Sequence, residues 1–227
     1  MKKNSSSFIF LFSFLLHSNK PIFSIPAHIA IVRHGEKQSV KTILTDRRGN
    51  VLLTSQGKPM MGDHLSTRGW ERAYALAPFF TLPTFTKNYG LPVAVFAPKP
   101  SDSYQSMRPV DTATPTADRL KIPLRKNYTL AEYEKFVTEV MTNPEYDQKT
   151  VVIVYEHAHI LELLKEFIDF KNVSSSPSIS KSLPNNWKGN VFDRLCLLHF
   201  TQNDTAKSYG VTFENKPQKL LFDDSNK

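Results

Sequence analysis

The chain has 227 residues, 40% of them hydrophobic, enough to bury one sizeable core, and the length argues for a single domain. Lys and Arg number 29 against 21 Asp and Glu, a formal charge of +8, but the excess is spread along the chain. No basic run interleaved with aromatics tracks a nucleic-acid backbone, so a nucleic-acid partner is not expected.

Residues 1 to 24 have the pattern of a secretory signal. Lys2 and Lys3 precede the largely apolar run Phe8 to Leu16, and small residues follow at Ser18 and Ser24. The run is shorter than the roughly 20 residues of a membrane-spanning helix. The expected mature domain is 25–227, secreted or periplasmic, and the only membrane contact expected is through an uncleaved N-terminal anchor. Removing Lys2, Lys3 and Lys20 with the signal lowers the formal charge from +8 to +5.

The mature sequence then alternates apolar runs with helical patterns. Ile29-Ala30-Ile31-Val32, Val93-Ala94-Val95-Phe96 and Val151-Val152-Ile153-Val154 have the continuous apolar character of strands covered on both faces. Trp70, Ala73, Ala77 and Phe80 recur at helical spacing behind Ser66 and Thr67, which predicts a helix over 67–80. Ile160, Leu164, Phe167 and Ile168 mark another just after the third strand, and weaker patterns cover 108–120 and 130–142. Residues 192–200 and 208–214 suggest two antiparallel strands joined at Gln202-Asn203-Asp204. The expected fold is a three-layer α/β/α sandwich with a mostly parallel central sheet and an antiparallel edge strand. Loops are expected at 38–64, 97–106 and 171–190, with no internal repeat. Cys196, the only cysteine, lies in an apolar alternation and reads as a core filler that forms no intramolecular disulfide.

In such a sheet, ligands bind beyond the C-terminal strand ends. Arg33-His34-Gly35-Glu36 follows the first strand directly, Arg108 lies in the segment after the second, and Glu156-His157 follows the third. If these strands are neighbours, Arg33, His34, Arg108 and His157 surround one cavity. That set suits phosphoryl transfer. Arg forks match phosphate oxygens, and a neutral imidazole nitrogen can attack phosphorus in line while cations stabilise the equatorial oxygens. No metal and no cofactor are expected, because His159, Asp63 and His64 lack a recognisable ligand spacing. His64 and Lys37 are candidates to line the substrate mouth.

Four ordered segments carry a resemblance. They are Ile31-Val32-Arg33-His34-Gly35-Glu36-Lys37, Leu65-Ser66-Thr67-Arg68-Gly69-Trp70, Arg108-Pro109-Val110-Asp111-Thr112-Ala113 and Val152-Ile153-Val154-Tyr155-Glu156-His157. Together they resemble the histidine phosphatase superfamily, which has a phosphoglycerate mutase-like fold; Asn186-Trp187 and Phe192-Asp193-Arg194 echo a late segment of its bacterial members. The resemblance implies that His34 is the phosphorylated nucleophile and that Arg33, Arg108 and His157 bind the phosphoryl group. It implies a phosphomonoesterase acting on a phosphorylated small molecule or phosphoprotein. One branch of the superfamily places its acidic residue directly after the second histidine, where this chain has Ala158, so Glu36 and Glu156 are the candidate general acids, with Glu132 and Glu134 behind them. The stretch Glu36-Lys37-Gln38-Ser39-Val40 lacks the asparagine usual in mutases, which disfavours a phosphoglycerate mutase-type phosphotransferase. A catalytically silent fold that binds a phospho-ligand or a protein partner is the alternative from another class. Oligomeric state is open.

Overall fold

The computed structural model describes residues 24–176, 179, 182–203, 205 and 207–224. The proposed signal thus lies, apart from Ser24, outside the described residues.

The first strand, β1 (His28–Arg33), pairs in parallel with β6 (Thr150–Tyr155), which pairs in parallel with β4 (Pro92–Phe96). These are the three apolar runs, and they lie side by side as the site argument required. A short β5 (Leu124–Arg125) extends the sheet beyond β4, again in parallel. On the other flank β8 (Arg194–Asn203) runs antiparallel to β1, then β9 (Ser208–Pro217) antiparallel to β8, then β7 (Val173–Ser175) parallel to β9. The full order is β5-β4-β6-β1-β8-β9-β7. The expected antiparallel pairing is therefore present toward one edge, with β8 the reversed strand and β9 and β7 outside it.

Alternation along β1 divides the core in two. Ile29 and Ile31 pack with Phe136, Val140, Leu164 and Phe167, whereas Ala30 and Val32 pack with Leu76, Phe80, Val110 and Ala113. The first layer belongs to α4 (Tyr133–Thr142) and α5 (His157–Ile168), the second to α1 (Thr67–Phe79) and α3 (Arg108–Leu120). Sheet and two helical layers make the anticipated sandwich. Cys196 is fully buried in the first layer, as a filler should be.

Local chemistry accounts for the helix starts. Ser66 caps α1, its hydroxyl accepting from Gly69 N at 3.1 Å. Pro109 sits in the first turn of α3, where a missing N–H costs nothing, and α3 ends at Lys121 in the left-handed region. The pattern over 130–142 resolves into a 3-10 turn (Leu130–Glu132) followed by α4, opened by a capping box in which Glu132 accepts from both Thr129 N and Thr129 Oγ1. Glu132 is thereby committed to a cap. A short helix, α2 (Pro83–Tyr89), has no counterpart in the sequence reading because it buries only Phe85, too little for a periodic signal.

Residues 38–64 hold more order than a loop. Besides β2 (Thr42–Ile43) and β3 (Met61–Gly62), they contain a closed ring of backbone bonds: Leu52 N donates to Leu44 O, Met60 N to Leu52 O and Leu44 N to Met60 O, each at 2.9 Å. The three residues are eight apart. Turns with positive φ at Gly49 and Gly57, each five residues after a ring leucine, return the chain. This corrects the expectation of no repeat: Leu44 to Gly49 and Leu52 to Gly57 are two copies of one short unit, legible once leucine and glycine spacing are compared.

The segment after β1 approaches the start of α1 more closely than side chains allow. A methyl group on Gly35 would lie 2.7 Å from Gly69 O, and one on Gly69 would collide with Glu36 O. Gly69→Ala should therefore destabilise the fold by about 1–3 kcal/mol, the cost of overpacking. Urea unfolding of the variant checks this, and an unchanged midpoint would refute the close approach.

Candidate active site

The β1–β6 ladder runs one residue past the strand, His34 N donating to Tyr155 O at 3.0 Å. Gly35 N then donates to Thr112 Oγ1 at 2.8 Å, and Thr112 Oγ1 donates to Arg108 O at 2.8 Å. Thr112, fully buried, thus ties the post-β1 turn to the first turn of α3 and sets Arg108 against His34. The sequence reading gave Thr112 no role, since a helical threonine declares nothing about its bonding.

His34 Nδ1 lies 2.8 Å from Gly35 O. A carbonyl only accepts, so Nδ1 carries the proton and Nε2 keeps its lone pair. That Nε2 is buried without a hydrogen-bond partner. Burial, together with the Arg108 guanidinium and then Arg33 and His157, holds the proton affinity of His34 well below its ordinary 6.5, against the opposing bond to Gly35. The imidazole is neutral and oriented, with one free nitrogen.

His157 begins α5, and burial, with Arg33 next, likewise lowers its proton affinity. Glu156 stands before it as the helix N-cap. Its Oε2 accepts from Ala158 N at 2.8 Å and lies 3.0 Å from His159 Nδ1, while Oε1 lies 2.5 Å from His157 Nδ1 in a close approach without hydrogen-bond alignment. Strand alternation would leave the direction of Glu156 open, but the residue has already left the strand, and as a cap it is buried beside the histidines. Ligand atoms of His34, Glu156 and His157 all lie within 4.8 Å of one another. Three such groups could gather round a cation, yet the guanidinium groups that disfavour protons on both histidines disfavour a metal ion equally. The group is better matched to an anion.

Arg108 is held by Ser106, whose Oγ accepts from its Nε at 2.9 Å, and lies 3.7 Å from Asp63. One turn along α3, Asp111 pairs with His64 Nδ1 at 2.8 Å; burial raises the proton affinity of that carboxyl. Asp63 and His64 therefore belong with Arg108 and Asp111, and His159 with Glu156, so the two do not converge on a metal. Tyr104, which the sequence did not single out, has a buried hydroxyl near Ser106 that makes no hydrogen bond of ordinary geometry.

Arg33 departs most from expectation. Its Nη1 donates to Gly189 O at 2.8 Å and Val191 O at 2.9 Å, and its guanidinium stacks on Phe192 at 3.7 Å. Trp187 Nε1 closes the same strap on Val191 O at 2.8 Å, and a methyl on Gly189 would stand 3.7 Å from His157 Nε2. The strap 187–192 thus lies against Arg33 and His157, and the His34 side chain has no exposed surface. Arg33 is consequently an anchor for this strap as well as a positive charge beside His34; desolvation lowers its proton affinity to about 10.

Glu36 does not join the His34, Glu156 and His157 group. Both its oxygens accept from Arg72 Nε, at 3.2 and 3.1 Å, and Arg72 Nη2 donates to Oε1 at 2.7 Å. Arg72 is 2% exposed and also grips Asp224 at 2.8 and 2.9 Å, joining α1 to the C-terminal segment. The candidate acid Glu36 is thus occupied as the counter-charge of a buried arginine. Arg72→Ala should destabilise the protein by about 3–5 kcal/mol, because two carboxylates lose their partner; calorimetry or urea unfolding measures the loss, and a change under about 1 kcal/mol would contradict the assignment.

Burial lowers the proton affinity of His28 and His199 as well as His34 and His157. With folded values below the unfolded 6.5, the unfolded chain binds more protons as pH falls, so these groups leave stability intact above 6.5 and erode it progressively below. Urea midpoints should decline from about pH 7 to pH 5, and His34→Gln should decline less steeply. Identical slopes would remove His34 from the linkage.

No protein-family model matches the chain, and no curated protein matches it. Among solved structures, one provisionally assigned as the phosphohistidine phosphatase SixA from Agrobacterium tumefaciens aligns with a TM-score of 0.43 and 13% identity, over 78% of this chain and 93% of that one. At that distance the likeness is recorded without weight, and the chemistry rests on the site itself.

Proposed function

We propose that this protein is a phosphomonoester hydrolase that works through a phosphohistidine on His34. One observation carries the reading: His34 Nδ1 is fixed on Gly35 O, leaving a buried, unpartnered Nε2 beside Arg33, Arg108 and His157. In the first step Nε2 bonds to phosphorus as the ester P–O bond breaks, and the leaving oxygen takes a proton. Arg108 and His157, with the charge of Arg33, stabilise the equatorial oxygens. Glu156, buried against His157, is the acid best placed to supply that proton, and it then accepts one from the water that displaces His34. Glu36 lacks this freedom. A phosphorylated small molecule or phosphoprotein as substrate, and an exported location, belong to the proposal on sequence grounds alone.

Phosphate release from an aryl phosphate should vanish in His34→Ala, and alkaline rapid quench should trap phosphohistidine in the wild type only. Glu156→Gln should lose about 100-fold or more on alkyl phosphates, whose leaving oxygen needs the proton, and much less on nitrophenyl phosphate. Equal loss on both substrates would remove Glu156 from the acid role. Because His34 remains neutral below 6.5, the acid limb of kcat/KM should lie lower than that value; a limb at 6.5 would mean that its environment does not depress it.

The second reading, a catalytically silent phospho-ligand binder, is favoured by the full burial of His34 and by the strap that occupies Arg33. Phosphate binding without trapped phosphohistidine would support it over the hydrolase.

A further inference from the structure

The octad unit between β1 and α1 turns Leu44, Leu52 and Met60 inward, and Leu44 and Met60 are buried against the α1–α3 layer. Their neighbours point the other way. Ile43, Val51, Leu53 and Met61 are 46–55% exposed and Val40 is 65% exposed. Five of the nine large hydrophobic residues exposed among the described residues therefore fall within 40–61, a concentration that scattered surface residues do not produce.

The charge around this patch is mainly positive, its outside acids being Asp102, which accepts from Ser55 N and Ser55 Oγ, and Asp118. Lys41, Arg48 and Lys58 are exposed within it, and Arg47 reaches Asp118 at 2.9 Å. Its single acid, Asp46, spends its carboxylate on its own turn, accepting from Arg48 N, Asn50 N and Asn50 Nδ2 at 2.8–2.9 Å. Lys99 and Lys126, with Asp46, line a cavity of about 270 Å³ beside Leu52, Leu53 and Met60. Apolar side chains bordered by an excess of cations match an anionic lipid surface, where the former enter the headgroup boundary and the latter meet the lipid charges.

We propose that the knob formed by residues 40–61 docks this protein on an anionic lipid bilayer through Val40, Ile43, Val51, Leu53 and Met61, with Lys41, Arg48 and Lys58 supplying the electrostatic attraction. Other occupants fit less well. A second copy would set like charges against each other. Strand addition finds no open groups at Leu44, Leu52 and Met60, whose amides and carbonyls satisfy one another. The apolar patch, roughly a few hundred Å², is smaller than the about 800 Å² per partner of a stable protein interface. The attachment is peripheral, since no helix among the described residues is long and apolar enough to cross a membrane. It revises the sequence expectation that only an N-terminal anchor would meet lipid. Asp63 and His64 lie at the foot of the knob against Arg108 and Asp111, so the knob adjoins the candidate site.

The test must distinguish the knob from the apolar N-terminus of the full chain, so it uses a probe in the knob. In full-length Leu53→Trp, adding phosphatidylcholine vesicles that contain phosphatidylserine and brominated chains should shift the added emission to the blue and quench it. Vesicles of phosphatidylcholine alone should have little effect. Each basic residue near such a surface strengthens binding roughly fivefold, so joint replacement of Lys41, Arg48 and Lys58 by Glu should weaken binding more than tenfold. An unchanged unfolding midpoint establishes that these exposed changes leave the fold intact, and molar salt should release the wild-type knob from the vesicles. Sedimentation with vesicles without quenching at residue 53 would overturn the proposal, as would insertion indifferent to phosphatidylserine. Binding to soluble poly-glutamate as tightly as to vesicles would assign the patch to an acidic polypeptide instead.

Discussion

The parallel ladder between β1 and β6 does not stop where the strands do. It continues through His34 N and Tyr155 O, so the two turns that carry His34 and Glu156-His157 leave the sheet at one level. Every relation in the candidate site depends on that register. Because side chains alternate along a strand, a slip by a single residue would send Ile29 and Ile31 into the wrong layer and turn His34 away from His157. The glycine contact between Gly35 and Gly69, and the bridge from Gly35 N through Thr112 to Arg108, then fix the same turn against α1 and α3. Position is thus set mainly by backbone groups, which have little freedom to move once paired.

On that frame the arginines divide their tasks. Arg72 is buried to support structure, closing Glu36 and Asp224 into one network that pins the C-terminal segment to α1. Arg108 lies beside the candidate nucleophile, aimed by Ser106. Arg33 does both, holding the strap 187–192 by its carbonyls while its charge depresses proton binding at His34. An arginine that grips a strap and borders His34 couples the position of the strap to the charge at the candidate nucleophile. Burial, reinforced by the same positive field, keeps two neighbouring imidazoles neutral, as the proposed nucleophilic role of His34 requires.

Much of this was legible in the residues. Three apolar runs specified the parallel strands because central strands must be apolar on both faces, and Ser66 and Pro109 marked helix starts through local bonding that any fold would respect. That Arg33, His34, Arg108 and His157 gather at one end of the sheet could be read from their places at or after strand ends. Less legible was α2, too short for a period, and the octad ring, whose repeat is carried by Leu and Gly spacing amid unrelated residues.

What the sequence by itself determined is the set of elements, the layer each helix face seeks and the residue types gathered at one end of the sheet, since these follow from side-chain period and backbone propensity. Which carboxylate serves which cation was decided only by tertiary structure. Glu36 and Glu156 are equivalent as letters, each flanking a histidine of the candidate site. One meets Arg72 from a helix 36 residues on and becomes a counter-ion, whereas the other caps α5 and stays with His157. The strap on Arg33, drawn from more than 150 residues away, was equally beyond local reading. Ion pairing and carbonyl capture depend on distance in space, and distance in space is set by the packing of the whole chain.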